Sequence, residues 1–479
     1  MGRQNILFIV TDQHALHAVS CYGPTACRTP AIDALAADGV RFTRAYTPCG
    51  LCTPARASML TGVYPHTHGA KYNTGTHQPF GEDQCGVGLG TYPQKLAEMG
   101  YRLGYQGKWH AGIAETCHDL GFEGFGPRGY GRVSTSPDWA GYLAERGLSP
   151  EPVIEFYAAG DGQAAAGDAS GYRTGPAAGS PSHFLAHKTV EMLREYGASA
   201  QPFFMACNFW GPHAPYLPTE DYKDMVDPAA IEPWASFTDA LADKPMVHRK
   251  YRTSVFPAAA RADWATWSRI IARYYAQTAM IDAAIGQILD ALKEMGLYDD
   301  TLIVFTSDHG DTCGVHGGAF DKGAMAYEEV YHIPMIVKMP GSAHAGQTRD
   351  KFVSLLDLPE TFCQAAGTSM GPTHGQSLLA LIDDAAAPWR DDLLAEYHGH
   401  RVPVAQRILW HGDHKFIMNY ADRDELYDLS SDPAELTNLI DDPARADLLG
   451  DLRGRMLDTT RRFEDQPGPQ SVYFFTRPL

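Results

Sequence analysis

A chain of 479 residues with 44% hydrophobic and 20% charged side chains is long enough for a large core and has the composition of an ordinary soluble globular protein. Its formal charge of −18 argues against nucleic acid or an anionic membrane as a partner, so an anionic substrate needs positive charge concentrated locally. The nine scattered cysteines do not suggest a disulfide framework, and the apolar run at 5–10 is too short for a signal peptide or a membrane span. A reduced, cytoplasmic protein is the expectation, or a periplasmic one if a leader has been removed.

In chain order, 5–11 is a mostly apolar run of strand length, fit to be buried on both faces, and it ends in Asp12-Gln13-His14. Thr29-Pro30 opens a helix through Ala37, and 40–46 reads as a second strand running to Cys49-Gly50-Leu51-Cys52. A short helix follows, with Thr53 as N-cap, Pro54 in the first turn and Gly62 as its stop. The stretch 93–99 is a helix closed by Gly100, and the strand after it delivers Lys108-Trp109-His110. Periodicity disappears over 121–179, a length of irregular chain that suits a lid or binding loop. A helix at 182–196 and a buried strand at 202–208 lead to Pro212-His213-Ala214-Pro215. A long helical pattern at 263–295, between an Asp263 cap and Gly296, precedes a strand at 301–306 that ends in Ser307-Asp308-His309. One more strand (333–339) and helix (356–366) complete an alternating pattern. Beyond Pro388 come four short strands and a terminal helix at 444–463. The expected fold is α/β: a large mixed, mostly parallel sheet with helices on both faces over 1–385, and a smaller α+β subdomain over 386–479.

Several polar groups fall where such a sheet collects them, at the carboxyl ends of strands. Cys52 precedes a helix N-terminus, which favours a thiolate, an oxyanion or a bound anion, and Arg56 returns across one turn to the same spot. Asp12, Asp308 and His309 are candidate ligands of a hard divalent metal, Ca²⁺ ahead of Mg²⁺ or Mn²⁺; the alternative is that each aspartate only caps a turn. Lys108 and His110, spaced i and i+2 at a strand end, are expected on one side. His213 lies in a loop stiffened by proline on both sides, which suits a positioned acid or a structural turn.

The run Leu51-Cys52-Thr53-Pro54-Ala55-Arg56-Ala57-Ser58-Met59-Leu60-Thr61-Gly62 closely resembles the signature of the type I sulfatases, members of the alkaline phosphatase superfamily. Gly107-Lys108-Trp109-His110-Ala111-Gly112 is similar to the family's G-K-W-H-x-G, and 425–439 resembles the closing motif of bacterial sulfatases. The resemblance implies conversion of Cys52 to formylglycine (3-oxoalanine) by a formylglycine-generating enzyme, its hydrate being the nucleophile. It implies metal ligation by Asp12, Asp308, His309 and residue 52, with Gln13 where many members have a second aspartate. It makes Lys108 and Lys322 sulfate-binding cations, with Arg56 also stabilising charge. Asp308 then accepts the proton of the attacking hydroxyl, His213 is the general acid, and His110 is the base that expels sulfate. Asn73 and His316 are candidates on the substrate side. His398, His400 and Arg401 are plausible contacts to a sugar or a second acidic group, or else a solvated surface cluster.

A sulfate ester, small or oligosaccharide, is the expected substrate, of a carbohydrate in preference to an aryl or choline alcohol. Phosphonate monoester and phosphodiester hydrolases share C-x-P-x-R and the metal ligands, and they are the nearest alternative; the Lys and His of G-K-W-H favour the sulfatase. A non-catalytic anion- or glycan-binding protein with an unmodified Cys52 is the alternative from another class.

Overall fold

The computed structural model describes residues 4–74, 89–113, 115–149, 153–154, 170–420 and 422–465. The amino-terminal part alternates strand and helix: β1 (Asn5–Asp12), α1 (Pro30–Asp38), β2 (Val40–Phe42), β3 (Ala45–Tyr46), α2 (Cys52–Thr61), α3 (Pro65–His68), α4 (Tyr92–Glu98) and β4 (Arg102–Gly107). The middle adds β5 (Glu123–Phe125), α5 (Pro137–Glu145), β6 (Val153–Ile154), β7 (Tyr172–Arg173), α6 (Pro181–Gly197), β8 (Phe203–Pro212), α7 (Met246–Val255) and α8 (Trp264–Glu294). Then come β9 (Thr301–Ser307), α9 (Val315–Gly318), α10 (Glu328–Tyr331), β10 (Met335–Lys338), β11 (Gln347–Arg349), β12 (Val353–Ser354), α11 (Leu358–Ala365) and α12 (Leu379–Asp383). The chain closes with β13 (Asp392–Tyr397), β14 (Gln406–His411), β15 (His414–Asn419), β16 (Glu425–Asp428) and α13 (Ala446–Arg462).

Eight strands form the central sheet in the order β11-β2-β10-β9-β1-β8-β4-β5. From β9 to β5 the neighbours are parallel, and β10 runs antiparallel to β9 and β2. The sheet is therefore mixed and mostly parallel, as the alternating pattern predicts. Its central strand shows why. Ile6, Phe8 and Val10 pack on one face against Ala55, Met59, Leu96 and Phe362, while Leu7 and Ile9 pack on the other against α1, α6 and α8. Successive side chains of a strand point to opposite faces, so a strand covered on both sides reads as one apolar run.

The last four strands make an antiparallel meander, β13-β14-β15-β16. Leu394, Leu409, Phe416, Met418 and Leu426 face α13, Tyr64 and Leu356, and Leu393, Ala395, Ile408, Trp410 and Tyr427 face Tyr46, Tyr331 and Phe352. This second sheet is thus sandwiched between its own helix and the larger part of the molecule.

Three local expectations change. Residues 40–46 are two strands in two sheets, because β2 joins the central sheet and β3 pairs with β12. Helix α2 begins at Cys52, with Leu51 rather than Thr53 at the N-cap; Gly62 ends it in the left-handed conformation, as expected. Within 121–179 the described residues include the edge strand β5 and helix α5, whose N-cap Ser136 accepts a hydrogen bond from Asp138 N. Residues 150–152 and 155–169 of that segment lie outside the described residues.

Candidate active site

The carboxyl ends of β9, β1, β8 and β4 are adjacent in the sheet, and they deliver Asp308, Asp12, His213 and Lys108 to one edge. The N-terminus of α2 meets them there with Cys52. Cys52 Sγ lies 3.2 Å from His309 Nε2 and 3.7 Å from Asp12 Oδ1. Lys108 Nζ is 2.5 Å from Asp12 Oδ2, with both side chains fully buried, and 4.6 Å from the centre of the Tyr130 ring. Gly107, at φ +116°, is what lets β4 end there. A Cβ on it would stand 1.9 Å from Asn208 O, the carbonyl that accepts from Lys108 N.

Because β4 stops at Gly107 and His110 adopts φ +45°, Lys108 and His110 reach the site through a turn rather than by strand alternation. Burial pushes the His110 imidazole down to about 4 even though a hydrogen bond with Cys52 favours its charged form. His110 is therefore neutral near pH 7.

Arg56 is held mainly by protein. Its Nε donates to Asp308 Oδ2 at 2.9 Å and its Nη1 to Lys108 O at 3.0 Å, with Asn208 Oδ1 at 3.4 Å. Asp308 Oδ1 also accepts from the amides of Gln13 and His309. Although burial opposes it, His309 and Arg56 hold the Asp308 carboxyl well below the usual range. These contacts suit a permanently ionised ligand better than a proton acceptor. Gln13, at φ +62°, is tied at both ends of its amide: Oε1 accepts from Lys322 and Nε2 donates to Asp311 Oδ2 at 2.6 Å. Lys322 also donates to Asp321 Oδ1 at 3.0 Å, and its Nζ is 2.9 Å from His213 Nε2. His213 Nδ1 donates to Ala214 O at 2.6 Å, which leaves Nε2 facing the site.

The remaining candidates are placed as follows. Asn73 Oδ1 accepts from Thr53 N at 3.0 Å and so caps α2 from outside the helix. Arg401 approaches Asp321 at 3.9 Å and donates through Nε to His400 Nε2, so both residues stand beside the Lys322 loop. His316 is buried, stacked on Tyr327 at 3.4 Å and 3.0 Å from Asp239 Oδ2. His398 pairs with Glu396 Oε2 at 2.7 Å within a group that includes His66, Arg407 and Asp465. His66, Glu396 and Asp465 lie close enough to hold a metal, but Arg407 and the two histidines already answer the carboxylates. Sequence motifs do not point to Tyr130, Asn208, Tyr216 or Asp311. Only the fold brings these residues under the cations and Gln13, Tyr216 OH donating to Asp311 Oδ2 at 2.5 Å.

A divalent metal fits the residues present. Ligand atoms of Asp12, Cys52, Asp308 and His309 all lie within 4.8 Å of one another, and all four side chains are buried. Burial and the neighbouring Asp308 raise the Asp12 carboxyl to about 6, the mark of two buried carboxylates short of positive charge at one point. Two carboxylates and an imidazole are a hard donor set.

Comparison with known proteins decides the family. The sulfatase family model matches residues 4–368, and the model for the C-terminal region of N-sulphoglucosamine sulphohydrolase matches residues 314–462. The chain belongs to the sulfatase family. It is accordingly a sulfuric ester hydrolase of the alkaline phosphatase superfamily. An N-acetylglucosamine-6-O-sulfatase from Bacteroides thetaiotaomicron is 28% identical over 97% of this chain and 87% of its own. The multifunctional alkaline phosphatase superfamily protein PehA of Trinickia caryophylli is 29% identical over 95% of both chains. Among solved structures, the phosphonate monoester hydrolase of Agrobacterium radiobacter superposes with a TM-score of 0.79 over 96% of both chains, at 23% identity. The two chains share a fold.

Proposed function

We propose that this sulfatase hydrolyses a sulfate ester of a carbohydrate, with Cys52 as the precursor of a formylglycine nucleophile at a divalent-metal site. The observation that carries the reading is the electrostatics at Cys52. Burial alone would keep its thiol protonated, yet Lys108, Lys322, His309 and a hydrogen bond with His110 together bring it well below the usual thiol range. A chain with a net charge of −18 thus builds a pocket that stabilises an anion at this one side chain. The glucosamine-sulfatase relative supports a sugar as the alcohol.

Asp12, Asp308, His309 and residue 52 would hold the metal, which when bound supplies Lewis-acid polarisation of the ester's anionic head. Formylglycine would supply a hydroxyl nucleophile with a second hydroxyl for the release step. Lys108 and Lys322 meet the charge on the sulfate oxygens. Arg56 positions Asp308, the strand end carrying Lys108, and Asn208. His213, with its Nδ1 proton held by the Ala214 carbonyl, would donate from Nε2 to the leaving oxygen as the imidazolium, and the Lys322 ammonium 2.9 Å from that nitrogen is the adjacent proton source. His110, neutral at working pH, takes the proton of the second hydroxyl.

Peptide mass spectrometry on protein from its native host should show residue 52 as the aldehyde; a wholly unmodified cysteine refutes the nucleophile. A substrate panel of sulfated mono- and oligosaccharides, aryl sulfates, phosphonate monoesters and phosphodiesters should give its highest kcat/KM on a sulfated sugar. The phosphorus esters belong in the panel because the PehA relative is multifunctional. Faster turnover of a phosphonate would overturn the substrate assignment.

A further inference from the structure

On the side of the site where His213 and Tyr130 stand, the molecule opens into a cavity of about 630 Å³. Both residues line it, so it receives whatever is attached to the leaving oxygen. Its walls come from α5, β7, α6, β8 and α8, and they include Trp139, Leu185, Trp210 and Met280. Indole and aliphatic surface in a space of this size suits a small ring-shaped ligand.

One wall residue does not fit a merely apolar pocket. Arg173 lies on β7, whose backbone is firmly placed: Arg173 N donates to Pro218 O at 2.9 Å, and the strand pairs with β6. The guanidinium is half-buried, and among the described residues no carboxylate, carbonyl oxygen or aromatic ring answers it. Burial alone acts on its acidity, and it acts against the charge. Other withdrawn arginines in this protein are satisfied internally: Arg56 by Asp308, Arg407 by Asp465, Arg390 by Asp357 and Arg349 by the Leu381 carbonyl. A half-buried guanidinium that faces a cavity, with no counter-charge among the described residues, is available to a ligand, and its planar shape is suited to take a carboxylate or sulfate through two parallel hydrogen bonds.

We propose that Arg173 binds a second anionic group, a carboxylate or a second sulfate, on the leaving-group side of the substrate, so that the enzyme prefers sulfate esters of acidic sugars to those of neutral ones. The inference rests on the sulfatase reading and goes beyond it, because Lys108 and Lys322 serve the ester that is cleaved whereas Arg173 selects the alcohol that leaves.

The test uses the mature enzyme and three matched monosaccharide sulfate esters that differ at one ring position away from the ester: neutral, carboxylate-bearing and sulfate-bearing. Wild type should favour at least one acidic ester in kcat/KM, and the arm that gains identifies the group. Arg173→Gln should cut that preference by about 10- to 100-fold, chiefly through KM, and Arg173→Lys should restore part of it. An unchanged preference, or equal losses on all three esters, overturns the proposal. A second measurement separates its failure from failure of the sulfatase reading. Calorimetric binding of the corresponding sulfate-free acidic sugars needs no turnover: at least tenfold weaker binding in Arg173→Gln supports the role of Arg173 even if no sulfate ester is cleaved. Equal affinity in both proteins, or no binding to wild type, overturns it.

Discussion

At the scale of single residues, the site is a set of mutual dependencies. Lys108 is fully buried, and its stem ends between the Asp12 carboxylate and the Tyr130 ring. Its charge serves two purposes: it answers Asp12 within the protein, and it favours an anion at residue 52. Lys108→Met keeps the stem and removes both. We expect kcat/KM on a generic aryl sulfate to fall by about 10²- to 10³-fold, as for loss of one preorganised charge-stabilising group. Thermal unfolding should also shift downward, because Asp12 is left buried beside Asp308 without its cation. Lys108→Arg should rescue poorly, since a planar guanidinium does not fit the place of a compact ammonium. Retention of more than a tenth of wild-type kcat/KM in Lys108→Met would remove Lys108 from the anion site. Three residues of the site also carry backbone strain: Gln13, His110 and Asp321 adopt φ of 62°, 45° and 74° without being glycine, a cost of about 1–3 kcal/mol each.

At the scale of elements, what could be read from the sequence depended on whether the decisive contacts were local. β1, β8 and β9 were legible because a strand covered on both faces needs a continuous apolar run, and the aspartates and histidine that follow such runs fall at one sheet edge. The C-cap of α2 was legible because Gly62 supplies the left-handed residue by itself. Its N-terminus was not, because the acceptor for Thr53 N comes from Asn73, beyond the helix. Helix α5 shows its signal only faintly: Trp139, Tyr142 and Leu143, at i, i+3 and i+4, make its buried stripe within a glycine- and proline-punctuated stretch. Motif spacing located the cations and ligands of the site, whereas Tyr130, Asn208 and Arg173 lie outside any motif, and only tertiary structure shows what they face.

The join between α3 and the C-terminal sheet carries an element-scale prediction. Glu396, at the end of β13, accepts from His66 N and Nδ1 and from His398 Nε2, and Arg407 stands 3.5 Å away while gripping Asp465 with two hydrogen bonds. Burial raises the Glu396 carboxyl, but His398, Arg407 and the histidine hydrogen bonds outweigh it and hold it well below its usual 4.5. A carboxyl depressed in the folded state contributes stability above its unfolded value, and that stability is lost as pH falls through the folded one. Glu396→Gln should therefore cost about 3 kcal/mol or more at pH 7, with Arg407 left partly unanswered. The gap from wild type should hold down to about pH 4.5 and narrow below it. Denaturant unfolding of both proteins between pH 7 and pH 3.5 measures this, and a gap that widens on acidification would show that Glu396 is not the ionised centre of the cluster.

At the scale of the whole molecule, the metal candidates tie together parts that are remote in sequence: Asp12 from β1, Cys52 from α2, and Asp308 with His309 after β9. In the unfolded chain these four residues have no reason to be neighbours, so an ion they bind favours the folded state over the unfolded one. Two buried carboxylates, of which Asp12 is raised to about 6 by burial and by the charge of Asp308, supply the affinity. Calcium at 100 times its Kd should therefore add about 2.7 kcal/mol, seen as a rise in unfolding temperature over chelator-treated protein. The rise should be absent in Asp12→Asn and in Asp308→Asn. It should persist in Lys322→Met, because Lys322 hydrogen-bonds to Gln13, Asp321 and His213 and to none of the four ligands, reaching residue 52 only through its charge. A calcium-dependent rise of equal size in Asp12→Asn would place the ion elsewhere, whereas loss of the rise in Lys322→Met would mean that the anion pocket and the metal site are one electrostatic unit rather than two that meet at residue 52.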